Sequence, residues 1–189
     1  GTCLLPLREV EKYKQMVTAD NNARNRGRYA AWNSISMENN PTVDSLVRFL
    51  AEKQTFVCPT LGVFERQEDR GDSVEVNGFA NMVKFVGLAK KGGARIVVGS
   101  HTWVPYAERG YGYFREMELF GQAGMTPMEI IQAATLENAR FFRIEERLGT
   151  IEAGKLADLI LVEGDPLADI SNMRNVKRVM LNGVWIEGA

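Results

Sequence analysis

His101 is the single histidine of this chain, and it directly follows the apolar run Arg95–Gly99 (RIVVG) and Ser100. An imidazole can ligate zinc and can act as a base near neutral pH. A closed zinc site needs four ligands and an open one needs three. His101 would therefore have to borrow partners from elsewhere. Trp103, Tyr106, Arg109, Tyr111 and Tyr113 come next. They either line a substrate pocket, with Arg109 pairing a carboxylate bidentately, or pack as an aromatic loop. Asp158 and Asp165 read as structural carboxylates in turns. Cys58 lies in an apolar strand pattern and reads as a buried thiol rather than a nucleophile. Arg24, Arg26 and Arg28, near Tyr29 and Trp32, have the residue types of a nucleic-acid patch. A net charge of −1 supplies no field to support one, so a solvated helix end is expected there.

The elements that must position these groups follow from periodicity. Pro6 to Thr18 carries Val10, Tyr13, Met16 and Val17 at the spacing of one helical face. Asp20–Arg28 either extends that helix or forms a loop. Asn39-Asn40-Pro41 is a break followed by a helix start, and Val43, Leu46, Val47 and Leu50 mark its apolar stripe. Thr55–Thr60 (TFVCPT) reads as a buried strand ending at Pro59. Gln67–Val76 is charged and reads as a surface loop, and so does the mixed run from Glu65 to Asp72. Asn77–Lys91 reads as a helix stopped by Gly92-Gly93, and Arg95–Gly99 as a second buried strand. Helix alternating with strand implies parallel strands joined by helical crossovers.

Tyr111–Ala123 reads as a helix. Thr126-Pro127-Met128-Glu129 is a capping box with proline in the first turn, opening a helix that ends near Asn138. After Gly149 the character changes to short strands. Leu159–Val162 is a continuous apolar run, the mark of a buried strand, and Asp165-Pro166 stops it. Val176–Leu181 and Val184–Ile186 flank Asn182-Gly183, the dipeptide favoured in a two-residue type I′ turn.

Composition narrows the class. Of the 189 residues, 45% are apolar and 25% charged, an ordinary globular balance. No run approaches the ~18 apolar residues of a membrane span. Two cysteines, Cys3 and Cys58, are too few for a disulfide framework. No nucleic-acid or membrane partner is expected, and the default compartment is cytoplasmic. The chain opens on Gly1 rather than Met, which reads as a processed, tagged or truncated product.

The literal strings add a resemblance. GTIEAGKLADLILVEGDPLADI (Gly149–Ile170) closely resembles the C-terminal signature of the metal-dependent amidohydrolase superfamily, in the branch of imidazolonepropionase-like enzymes and metal-dependent Xaa-Pro dipeptidases. Pro59–Leu61 resembles the end of the seventh strand of that family's barrel, and Val97–Ser100 resembles the eighth. Gly121–Phe142 resembles the helices after it. VKRVMLNGVWI resembles the family's closing hairpin. Five such strings in order make the resemblance specific.

What it implies is an α/β fold. Residues 1–148 would be the C-terminal part of a (β/α)8 TIM-like barrel, its last two strands with their helices. Residues 149–189 would be the C-terminal segment of a small β-sandwich domain. The implied activity is hydrolysis of C–N bonds in amides, peptides or cyclic amides, on a small-molecule or dipeptide-like substrate, with a divalent metal, zinc being the family expectation. The family's HxH pair, lysine and further single histidines have no counterpart here, so the chain resembles a fragment that is inactive alone. It would pair with a missing N-terminal segment or self-associate. The alternative is a decayed, non-catalytic relative.

The family's eighth strand ends in G-[ST]-D, whose aspartate binds metal and shuttles a proton. Here the triplet is Gly99-Ser100-His101, so His101 takes the position of that catalytic and metal-binding carboxylate. It could ligate metal only with groups from the missing segment. Binding substrate, being vestigial or being merely structural are the other readings of His101. Trp103, Tyr106, Arg109 and Tyr111 are the implied substrate-binding residues.

Overall fold

The structure is a computed structural model, and it describes residues 10–11, 14–15 and 21–187. Cys3 and most of the helix expected from Pro6 to Thr18, including Tyr13 and Met16, lie outside the described residues. The segment that could have been loop or helix is helical, as α1 (Asn21–Asn33). Helix α2 (Pro41–Glu52) starts where the break predicts. The Asn40 side chain accepts from the Thr42 and Val43 amides at 3.0 and 3.5 Å, covering donors that the first turn leaves unpaired.

Strand β1 (Phe56–Val57) leads into a single turn, α3 (Leu61–Phe64). Helix α4 (Ser73–Lys91) then returns the chain to β2 (Arg95–Ile96). It begins four residues before the expected start, because the Asp72 side chain accepts from the Glu75 amide at 2.9 Å and caps it. The two strands are parallel, with Phe56 opposite Arg95 and Val57 opposite Ile96. The Val97 amide donates to Val57 O at 3.0 Å and carries the ladder one step further. Parallel pairing with a helical crossover is thus what the alternation implied.

Helix α4 is the centre of the core. Its Phe79, Met82, Val83, Val86 and Ala89 are buried with Tyr29, Leu61, Ile96, Met117, Leu119, Phe120 and Ile130. Each large member adds roughly 1.5–3 kcal/mol by leaving water. Gly78 lets α1 and α4 touch: a Cβ there would stand 2.4 Å from the Tyr29 carbonyl oxygen.

Helix α5 (Gly112–Gln122) follows the loop after β2, then α6 (Pro127–Ala134) and α7 (Leu136–Phe142). The capping box forms as read, with Thr126 and Glu129 each accepting from the other's backbone amide. The helical path does not end near Asn138. It breaks at Thr135 and resumes as α7, because the Asn138 amide reaches inward to Val98 O and the Tyr113 hydroxyl, both at 3.0 Å, instead of terminating the backbone.

The C-terminal strands β3 (Leu159–Val162), β4 (Val176–Leu181) and β5 (Val184–Ile186) form one antiparallel sheet in sequence order. A 3₁₀ turn, Ile170–Arg174, packs between the sheet and α5. Asn182 and Gly183 both have positive φ, 49° and 79°, as a type I′ turn requires. The expected burial of β3 is not observed: Ile160 is 45% exposed and Leu161 48% exposed. This strand lies at the sheet edge with a bulge at Leu161/Val162, and its outer face has no cover among the described residues. β1 is half-buried rather than buried for the same reason. Cys58 at its end is exposed, not buried. No helix among the described residues is long and apolar enough to cross a membrane.

Candidate active site at the strand ends

Two chain segments leave the C-terminal ends of β1 and β2 side by side. The first is Cys58-Pro59-Thr60-Leu61, with Thr60 held at φ +49°. The second is Gly99-Ser100-His101. They approach so closely that a Cβ on Gly99 would lie 2.5 Å from the Cys58 sulfur. Helix α5 braces both. A Cβ on Gly112 would stand 2.3 Å from the His101 carbonyl oxygen and 3.0 Å from Ser100 Oγ. One turn on, the Glu116 carboxylate accepts from the Leu61 amide at 2.8 Å and the Gly62 amide at 2.7 Å. Val104, 1% exposed, fills the space between Gly62 and Gly112.

Glu116 is fully buried. Burial pushes its carboxyl up to about 7, and the neighbouring Glu65 charge adds to this; the two amide bonds act in the opposite direction without prevailing. Cys58 responds to the same surroundings. Partial desolvation and the Glu116 charge hold its thiol above the ordinary range, which keeps it protonated and a weak nucleophile.

Glu65, 1% exposed, is gripped bidentately by Arg115 at 2.6 and 2.9 Å. Arg115 also donates to Glu118 at 2.7 Å, and Arg174 of the 3₁₀ turn donates to Glu118 at 2.5 Å. This chain of charges ties the exit of α3 to the 3₁₀ turn ahead of β4. It holds the Arg115 guanidinium firmly protonated, chiefly through the Glu65 hydrogen bonds.

The residues singled out in the sequence are divided among different tasks. His101 is exposed. Trp103 is 62% exposed and Tyr111 39%; Arg109 is also exposed. All lie on the loop from 101 to 111, which closes on itself through Gly110 N to Thr102 O at 3.0 Å. Tyr106 works as a clasp to the neighbouring loop. Its hydroxyl donates to Asp69 at 2.8 Å and accepts from the Gln67 amide at 3.0 Å. Arg70 completes the clasp, stacking over the Tyr106 ring at 5.2 Å and donating to Pro105 O at 2.8 Å. Tyr113 faces inward, donating to Ala134 O at 3.1 Å, and burial pushes its hydroxyl up to about 12. Asp158 accepts from the Asn182 amide at 2.7 Å and Asp165 from the Leu167 amide at 2.9 Å, so both are turn carboxylates. Arg28 lies over the Phe64 ring at 4.3 Å.

Sequence reasoning missed Glu116 and Glu65. The available signal was a glutamate on the apolar face of a helix, at the same stripe as Met117 and Phe120.

Among the described residues no three His, Cys, Asp or Glu side chains come together to hold a metal ion. His101 is therefore not part of any such group among the described residues. These residues do not by themselves fit the divalent ion that the resemblance implies.

Comparison with known proteins bears on the same region. The amidohydrolase family model matches residues 81–186, from within α4 to the last strand. The fold superimposes on a Xaa-Pro dipeptidase with methionine bound in its active site, with a TM-score of 0.61 and 27% identity over 88% of this chain and 42% of that one. A candidate prolidase from Bifidobacterium longum aligns with a TM-score of 0.57 and 28% identity, over 70% of this chain and 35% of its own. An adenine deaminase of Mesorhizobium japonicum is 46% identical over 41 residues, 22% of this chain and 7% of that protein. The chain thus spans well under half the length of these relatives. With a family-model match over more than half its residues, on a mixed α/β frame that shares the amidohydrolase fold, this chain belongs to the amidohydrolase family.

Proposed function

We propose that this chain is the C-terminal part of a metal-dependent amidohydrolase that cleaves a C–N bond in a peptide-like or cyclic amide substrate. On this reading β1 and β2 are the last two strands of a (β/α)8 barrel, and β3–β5 belong to a small β-sandwich. The observation that carries it is the family match across residues 81–186, which takes in β2 and the loop bearing His101; β2 pairs in parallel with β1, just outside the match. Functional groups of parallel α/β barrels sit at the C-terminal ends of the strands. On this reading Ser100 and His101 at the strand end, with Trp103 and Arg109 on the adjoining loop, would face the substrate. The ion-holding groups would come from residues other than these. The chain by itself is accordingly expected to be inactive.

A second reading is favoured by a separate observation. A groove of about 430 Å³ runs between α7 and β3, lined by apolar residues that include Ile131, Phe142, Leu148, Ile160 and Val162. Phe142 is 66% exposed and Ile151 86% exposed beside it. Both edges of the β1–β2 pair lack a further strand among the described residues. Open edges and apolar faces recruit partners, which supports a chain that self-associates without catalysis.

The two readings separate experimentally. Dipeptide and cyclic-amide hydrolysis is assayed with added zinc or manganese, for the chain alone and mixed with a polypeptide carrying the family's earlier barrel strands. Turnover and metal uptake in the mixture alone support the first reading. A mixture that takes up no metal, with self-association in light scattering, supports the second.

A further inference from the structure

Glu116 makes a connection that neither reading uses. Its carboxylate is the acceptor for two successive amides, Leu61 and Gly62, at the point where the chain turns out of β1. It is 0% exposed. Four residues earlier on the same helix, Gly112 is pressed against the carbonyl of His101 and the hydroxyl of Ser100. Both strand ends are therefore referenced to one face of α5. Val104 is wedged between Gly62 and Gly112, so a shift at either end is felt at the other. Close-packed side chains transmit such shifts rather than absorb them.

We infer that Glu116 is a positioning residue whose charge state sets how the ends of β1 and β2 sit against each other. The ionised carboxylate offers an acceptor to each amide. The protonated group keeps one good acceptor and turns a hydroxyl toward the other N–H. The exit of β1, already held with Thr60 at a positive φ, then relaxes away from α5, and the Gly99–His101 segment follows through Val104. The groups facing Glu116 are few. Glu65 from the exit of α3 and the Cys58 thiol from the end of β1 both interact with it electrostatically, and the Glu65 charge is largely matched by Arg115. From the loop after β2 it is the backbone of His101 that meets the helix at Gly112.

The test is an NMR titration of this chain between pH 5 and pH 9, following the Glu side-chain carboxyl carbons and the backbone amides. The expected result is that the Glu116 carboxyl, the Leu61 and Gly62 amides, and the Gly99 and His101 amides all move with one midpoint, about 7. That common step should persist in His101→Asn, which removes the imidazole, and vanish in Glu116→Gln. Should Glu116→Gln fail to fold, the shared midpoint in His101→Asn still decides. A Glu116 carboxyl titrating in the ordinary range, around pH 4.3, would overturn the inference. So would flat Leu61 and Gly62 amides, or a step confined to them that leaves Gly99 and His101 unmoved.

Discussion

Replacing Gly112 by alanine sets two effects of opposite sign against each other. Helix propensity alone favours alanine by roughly 0.5–1 kcal/mol. Packing opposes it. The new Cβ would lie 2.3 Å from the His101 carbonyl oxygen, about 1 Å inside the ~3.3 Å at which carbon and a carbonyl oxygen ordinarily meet. The obstacle is backbone, so rotation of a side chain cannot relieve it, and Ser100 Oγ closes the other side at 3.0 Å. Overpacking of this kind costs about 1–3 kcal/mol, so packing wins. The net expectation is a loss of about 1–2 kcal/mol, or ~2–8 °C in Tm for a chain of this size.

Gly121→Ala on the same helix is the control. Its Cβ would meet only Ile130 and Ile170 side chains at 3.8 and 3.9 Å, ordinary contact distances. It should gain a few tenths of a kcal/mol from propensity alone. Urea denaturation of the three proteins reads the difference, and the lone histidine gives a single imidazole signal that should shift in Gly112→Ala only. If Gly112→Ala matched Gly121→Ala in stability and left that signal in place, α5 would not be the brace for the His101 loop.

Further expectations follow from the buried charges and caps. Glu116 has a folded-state value raised to about 7 from an ordinary 4.5, so its contribution to stability is fully present below pH 4.5 and is lost as pH rises through 7, by roughly 3 kcal/mol in all. The wild type should therefore lose stability relative to Glu116→Gln between pH 5 and pH 8, measured as the difference in urea midpoints. Arg115→Met strands the Glu65 carboxylate, which is 1% exposed, and should cost about 3–5 kcal/mol; adding Glu65→Gln should recover much of that in the same assay. Thr126→Ala breaks the capping box at the start of α6 and should cost about 1 kcal/mol, read as a lowered Tm with the near-ultraviolet spectrum unchanged.

Local rules carried part of this structure. Thr126 with Glu129, Asn40 before Pro41, and Asn182-Gly183 each act within four residues, and each forms as its sequence indicates. The order of helix and strand was enough to imply parallel pairing. Burial was less legible. Ile160 and Leu161 are apolar because β3 is suited to being covered, but an apolar run does not say what covers it. Cys58 misled for the same reason. Glu116 acts on Leu61 and Gly62 across more than fifty residues, and no local pattern links a helix glutamate to a distant turn. His101 was visible as the lone imidazole at a strand end, and the structure places it at the C-terminal end of the parallel pair; its exposure and the clasp role of Tyr106 depend on how two loops meet, which spacing alone does not encode.

The most direct measurement is the metal stoichiometry of the purified chain after equilibrium dialysis against zinc and against manganese, with amide hydrolysis followed on the same samples. A chain whose strand ends carry a solitary imidazole should retain far less than one ion per molecule and leave the amide intact. Retention of one tightly held ion per chain together with turnover would mean that these residues build a complete hydrolytic centre unaided, contrary to the function proposed for them.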